Sequence, residues 1–181
     1  MTSSDARFAE LYQLYYRKVL LYCRRRTAPD LVDDAVADTF LAAWRKIKDV
    51  PGGSEALPWL YTVAYRAIGH QYRTTGRHRK LRKKLSAIGV PDAADSGELV
   101  VTDHESHQVL EALSKLRRSD QELLRLSVWE ELSTSEMATV LGISVAAAKK
   151  RVTRAKTALA RSYQRLERSN PNLAVQRGGE W

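Results

Sequence analysis

The stretch LSTSEMATVLGISVAAAKKRVTRAK, residues 132–156, decides how the rest of the chain is read. Ser133 stands three residues before Glu136, the pattern of a capping box, in which two orphan backbone N–H groups at a helix start are satisfied reciprocally. Met137, Val140 and Leu141 follow at helical spacing, and Gly142 breaks the run where a tight turn needs a positive φ. Ser144 is placed to cap a second helix, whose apolar positions Ala148, Val152, Ala155 and Leu159 step by four, three and four. Its outer positions are small or basic: Ala146, Ala147, Lys149, Lys150, Arg151, Arg154 and Lys156. Two helices joined by a glycine-containing turn, the second with a cationic outer face, read as a helix-turn-helix. Ala146 and Ala147 then permit close approach to a thymine methyl, while Ser144 and the cations reach base edges or phosphates. Two ordinary surface helices are the competing account of the same residues.

Composition narrows the partners. A formal net charge of +9 and a pI of about 9.8 favour a polyanion or an anionic membrane surface. No apolar run approaches the roughly 20 residues that a spanning helix needs, so membrane insertion is not expected. The opening MTSSDARFAE has neither the basic start nor the apolar core of an export signal. The single cysteine, Cys23, cannot form an internal disulfide, which suits a cytoplasmic protein. In LLYCRRR it reads as a packing residue, with the flanking arginines leaving a reactive thiolate as the other option.

Working outward, spacing of three and four dominates and no alternating strand stands out, so the expected class is all-α. Phe8, Leu11, Tyr15, Val19 and Tyr22 trace one stripe of a first helix. Pro29 suits the first turn of a second, which is expected to run to about Lys48 with Leu31, Ala35, Phe40, Ala43, Trp44 and Ile47 as apolar contacts. DVPGGSEALP is a loop by composition, and a third helix starts near Pro58. After a basic run at 73–84 comes the polar, acidic stretch GVPDAADSGELVVTD, which reads as a flexible linker. Helices resume near Glu105, one of them expected to be capped by Ser119 with Glu122 behind it. SNPNLAVQRGGEW reads as a frayed tail.

Three constellations could carry chemistry. Asp30, Asp33, Asp34 and Asp38 crowd the first half of the second helix; the macrodipole explains Asp30 and Asp33 and leaves Asp38 over. On the third helix, Leu60, Val63, Ala64, Ala67, Ile68 and Gln71 fall within an arc of roughly 140°. The remaining arc holds Trp59, Tyr61, Thr62, Tyr65, Arg66, His70, Tyr72 and Arg73. Rings interleaved with cations suit single-stranded DNA, which stacks its bases and needs its phosphates neutralised; packing of Tyr61 and Tyr65 against the first helix is the alternative. His104 and His107 sit three apart, but no further ligand converges on them, so no metal is expected. No phosphate-cradling glycine loop and no Ser/His/Asp arrangement is evident, so neither a cofactor nor catalysis is expected.

DDAVADTFLAAWRKI followed by PWLYTVAYRAIGHQYR resembles region two of bacterial sigma-70 factors of the extracytoplasmic-function group. LRRSDQELLRLSVWEELSTSEMATVLGISVAAAKKRVTRAKTAL resembles region four. The resemblance implies a region-two-like domain over 5–75, a linker over 76–104, a region-four-like helix-turn-helix over 105–168 and a flexible tail over 169–181. It further implies that Asp34, Asp38, Phe40 and Trp44 lie in the helix that docks on the clamp helices of RNA polymerase. Phe40 and Trp44 also fall at core spacing, which makes packing the first role for their rings. The loop residues Gly52, Gly53 and Ser54, with Trp59, Thr62, Arg66, His70 and Arg73, would meet the −10 element and capture its unpaired strand. The second helix of the opening stretch would read the −35 element in duplex DNA. An anti-sigma partner is implied as well. Ala37 stands where the family commonly has glutamine, Glu131 where glycine is frequent, Ala148 where valine is usual, and His70 where asparagine or aspartate is common. The function expected is therefore promoter-specific initiation together with core polymerase. A stand-alone helix-turn-helix repressor or activator, and a DNA-processing enzyme targeted by this module, are the competitors.

Overall fold

In the computed structural model, which describes residues 3–86 and 104–169, every regular element is a helix. The chain divides into two units between Leu99 and Val100.

The first unit contains α1 (Ser3–Arg24), α2 (Val32–Arg45) and α3 (Ala56–Ser86), with 3-10 turns at Pro29–Leu31 and Gly53–Glu55. The stripe on α1 turns inward at Leu11, Val19 and Tyr22, and each helix packs on the other two. Toward α2, the rings of Phe8, Tyr12 and Tyr16 gather around Phe40, with centroids 6.5, 4.7 and 6.2 Å away. Toward α3, Tyr22 stacks on Tyr61 at 4.7 Å and an interplanar angle of 21°. This moves Tyr61 off the outer arc of α3. It lies at the edge of the apolar arc beside Ile68, and the ring of Tyr22 covers it. The Arg26 guanidinium sits 3.6 Å over the Tyr22 ring and donates to the Tyr22 carbonyl, while the Tyr72 hydroxyl donates to the Arg26 carbonyl at 2.6 Å. Cys23 is fully buried in this seam. Burial pushes its thiol up to about 12 against the opposing pull of Arg26, so it packs and does not react.

The second helix ends at Arg45, short of Lys48, in turns that bury Ile47 and Val50. Pro29 opens the 3-10 turn that leads into it, where its missing N–H costs nothing. Helix α3 continues through the basic run as far as Ser86. Most of the expected linker, and all of the tail beyond Ser169, lie outside the described residues; so do the side chains of His104 and His107.

The second unit contains α4 (His104–Ser114), α5 (Arg118–Val128), α6 (Thr134–Leu141) and α7 (Val145–Ser169). Leu113, Leu124 and Ala155 form a buried cluster, extended by Leu110, Leu116 and Leu159, so α7 is the strut on which the other helices pack. Ser119 does not cap α5. The cap position lies two residues earlier, at Arg117, whose carbonyl accepts from the Asp120 and Gln121 N–H groups and which makes no side-chain cap. Gln121 instead ties off the end of α4 and the turn after it, donating to the Ser114 carbonyl at 3.2 Å and the Leu116 carbonyl at 2.9 Å.

Candidate nucleic-acid interface

Between α6 and α7 the local chemistry is the one the opening stretch calls for. Glu136 Oε2 accepts from the Ser133 N–H at 2.8 Å and the Glu136 N–H donates to Ser133 Oγ at 3.3 Å, closing the capping box of α6. At its other end Gly142 takes φ 63°, and the N–H groups of Gly142 and Ile143 return to the carbonyls of Thr139 and Ala138. Ser144 Oγ accepts from the Ala147 N–H at 3.2 Å, opening α7. Ala148 and Ala155 face inward and are fully buried, with Val152 and Leu159 half-buried beside them. The opposite face presents Ser144, Ala146, Lys149, Lys150, Arg151, Arg154 and Lys156, all exposed, with Ala147 half-buried at its edge. Small residues stand at the leading end and cations farther along, spread around the exposed side of the helix.

On α3, Thr62, Arg66, His70 and Arg73 follow Trp59 at steps of three and four, which puts them on one stripe. Arg66, His70 and Arg73 are exposed, and Trp59 and Thr62 are half-buried. Thr62 turns its hydroxyl back to the Pro58 carbonyl at 2.9 Å. Tyr65 is exposed on the other flank, so of the two tyrosines only Tyr61 packs inward. Gly52, Gly53 and Ser54, just before α3, are exposed, and Gly53 has φ 58°. A side chain at that φ would be strained, although nothing lies near a Cβ placed there.

A third surface lies on α2. Asp34, Ala37, Asp38, Leu41, Trp44 and Arg45 recur at helical spacing, and all are exposed. Asp33 and Asp34 sit in the first turn, where the helix dipole favours them. Asp38 lies a turn farther on, beyond that effect. Phe40 does not belong to this surface. It is 4% exposed and forms the centre of the aromatic cluster against α1, so it supports α2 from behind and offers nothing to a partner. Trp44, for which spacing suggested packing, is 52% exposed, and Leu41, not singled out from the sequence, is 42% exposed. No group of three or more His, Cys, Asp or Glu side chains among the described residues is arranged to hold a metal ion. No described helix is long and apolar enough to cross a membrane.

Residues 11–78 match the family described as Sigma-70 region 2, and residues 106–159 match Sigma-70, region 4. The RNA polymerase sigma factor CnrH of Cupriavidus metallidurans is 30% identical over 139 residues, which cover 71% of each chain. The chain belongs to the sigma-70 family, in the extracytoplasmic-function group. The sigma factor NccH of Alcaligenes xylosoxydans xylosoxydans is 29% identical over 168 residues, 87% of this sigma factor and 88% of its relative. A probable sigma factor, RfaY of Xanthomonas campestris pv. campestris, is 29% identical over 128 residues; the match takes in 68% of this sigma factor and 32% of that longer chain. The solved structure of CnrH in complex with the cytosolic domain of CnrY is similar over 84% of each chain, with a TM-score of 0.56 and 25% identity.

The region-two match spans most of α1 through α3 of this sigma factor, and the region-four match runs from α4 to the middle of α7. Two further residues bear on the loop before α3. The Arg7 guanidinium donates to the Val50 carbonyl, and the Tyr15 hydroxyl donates to the Gly53 carbonyl at 3.3 Å. Tyr15 stood out in the sequence only as part of an apolar stripe, and Arg7 carried no signal at all. Glu131, where the family often has glycine, adopts φ 54° in this sigma factor, and the following Leu132 returns its N–H to the Leu126 carbonyl at 3.1 Å.

Proposed function

We propose that this sigma factor binds core RNA polymerase, directs it to a defined set of promoters and helps to open them. The exposed side of α7 enters the major groove of the −35 element. The loop at Gly52–Ser54 and the α3 stripe of Trp59, Thr62, Arg66, His70 and Arg73 hold the unpaired −10 strand. The α2 stripe, with Asp34 and Asp38 beside Leu41 and Trp44, docks on the polymerase. Its carboxylates steer the encounter and its apolar residues supply contact area. Phe40 contributes only by fixing α2. The polymerase performs the chemistry. A protein that masks these faces completes the picture; CnrH, a relative, has been solved with the cytosolic domain of CnrY, which supports a partner of that kind.

The observation that carries the reading is the division of α7. Its inward face sets buried Ala148 and Ala155 beside half-buried Val152 and Leu159, and its outward positions carry small residues followed by exposed cations. That division leaves the outward face free to be spent on a groove. The test is to add the purified chain to core polymerase and map transcript starts across a genome. Discrete starts sharing two spaced elements are expected, and an absence of discrete starts would defeat the proposal.

A further inference from the structure

The loop between α2 and α3 is tied to α1 at two backbone carbonyls, although its composition is that of a flexible segment. Val50 and Ala56 are buried at 2% and 3% exposure and anchor its two ends, while Gly52, Gly53, Ser54 and Glu55 are exposed between them. Two glycines in so short a span carry much conformational freedom in the unfolded chain. The ties from α1 are the bonds from Arg7 to the Val50 carbonyl and from Tyr15 to the Gly53 carbonyl. Both acceptors are backbone atoms, so the bracing sets the path of the chain whatever side chains the loop carries. A trans peptide points its N–H opposite its carbonyl, so holding the Gly53 carbonyl toward α1 turns the Ser54 N–H away from it.

We propose that Arg7 and Tyr15 are positioning residues for strand capture. They preset the loop in the geometry that receives an unpaired promoter base, so the ordering cost falls on folding and not on DNA binding. The inference rests on the reading above, in which this loop holds the −10 strand. It adds that the first helix, which presents no DNA-facing side chain in that reading, governs how selectively the loop does so.

The test uses the full chain with core polymerase and a library of pre-melted templates randomised across the unpaired bases. Tyr15→Phe keeps the ring and removes one oxygen. It is expected to speed amide exchange at residues 53–56, to lower affinity for the library about two- to tenfold, and to flatten base preference at one position. Duplex binding through α7 should stay unchanged. A merely structural role for the hydroxyl would lower thermal stability without altering base preference. Arg7→Gln, at an exposed position, makes the same measurement should Tyr15→Phe fold poorly. Gly53→Val, which strains the loop directly, separates the two ideas. If Gly53→Val reduces strand binding and both bracing variants keep wild-type preference, the bracing is wrong and the strand reading survives. If Gly53→Val folds and binds the library normally, the loop does not capture the strand and the bracing falls with it.

Discussion

At Glu131 the backbone takes φ 54°, a left-handed conformation that costs a residue with a Cβ about 1–2 kcal/mol. The turn demands it: the left-handed residue swings Leu132 into the core and delivers Ser133 to its cap. Glu131→Gly is expected to raise stability by about 0.5–1 kcal/mol, since relief of strain exceeds the extra freedom of the unfolded chain. A denaturant titration should show a higher midpoint at an unchanged slope. Cys23 is a second case of a single position with its own signature. Its thiol is raised from the ordinary 9.0 to about 12, so the folded chain holds that proton more tightly than the unfolded one. Stability from this group is complete below pH 9.0 and is lost as pH rises toward about 12. The alkaline fall in stability should therefore be shallower in Cys23→Ala than in the wild type. At pH 8 a thiol reagent should label the wild type only at the rate of unfolding.

Among the helices, α2 and α7 each pair a packed face with an exposed one. Reversing charge at Asp34 and Asp38 together is expected to weaken polymerase binding while shifting the stability of the isolated chain by only about 0.5 kcal/mol, because both are exposed. Unchanged binding by the folded double variant would move the docking face elsewhere. On α7, Arg151→Ala should cost about 1–3 kcal/mol in duplex affinity and relax preference at one promoter position. Lys156→Ala, farther from the leading end, should weaken binding evenly across a promoter library. Identical, sequence-blind losses would make α7 a phosphate clamp. How much of this was legible follows from the range of each signal. The Ser133–Glu136 box and the stop at Gly142 act over a few residues and could be read directly. Ser119 looked like a cap of the same kind, but it falls inside α5, whose cap position is Arg117. The packing expected of Phe40 is what the structure has, whereas Tyr61 and Trp44 were not decided by spacing, which places a ring on a face without saying which neighbour reaches it. Tyr22 covers Tyr61, the α1 rings surround Phe40, and Trp44 is left largely open to solvent. The bracing of the loop was the least legible, since its bonds join residues 43 and 38 positions apart.

For the whole molecule, the decisive distinction is between gripping closed duplex and capturing an opened strand. Trp59→Ala combined with Arg66→Ala is expected to spare polymerase binding and duplex binding and to impair opening, with a stacking ring worth about 1–3 kcal/mol per base. Permanganate reactivity on duplex and pre-melted promoters checks this. A pre-melted bubble should rescue transcription only in part, because capture of the strand is itself weakened. Trp59 is half-buried, so a loss of thermal stability in the double variant would assign its ring to packing, and normal opening by a folded variant would return the role to the loop. The layout of α7 has a consequence on a longer timescale. Its buried side rests on Ala148 and Ala155, while Ala146, Lys149, Lys150, Arg151 and Arg154 project outward and support nothing. Drift at those outward positions leaves the scaffold intact. A duplicated gene can therefore acquire a new set of targets within a few substitutions, without first passing through an unstable intermediate.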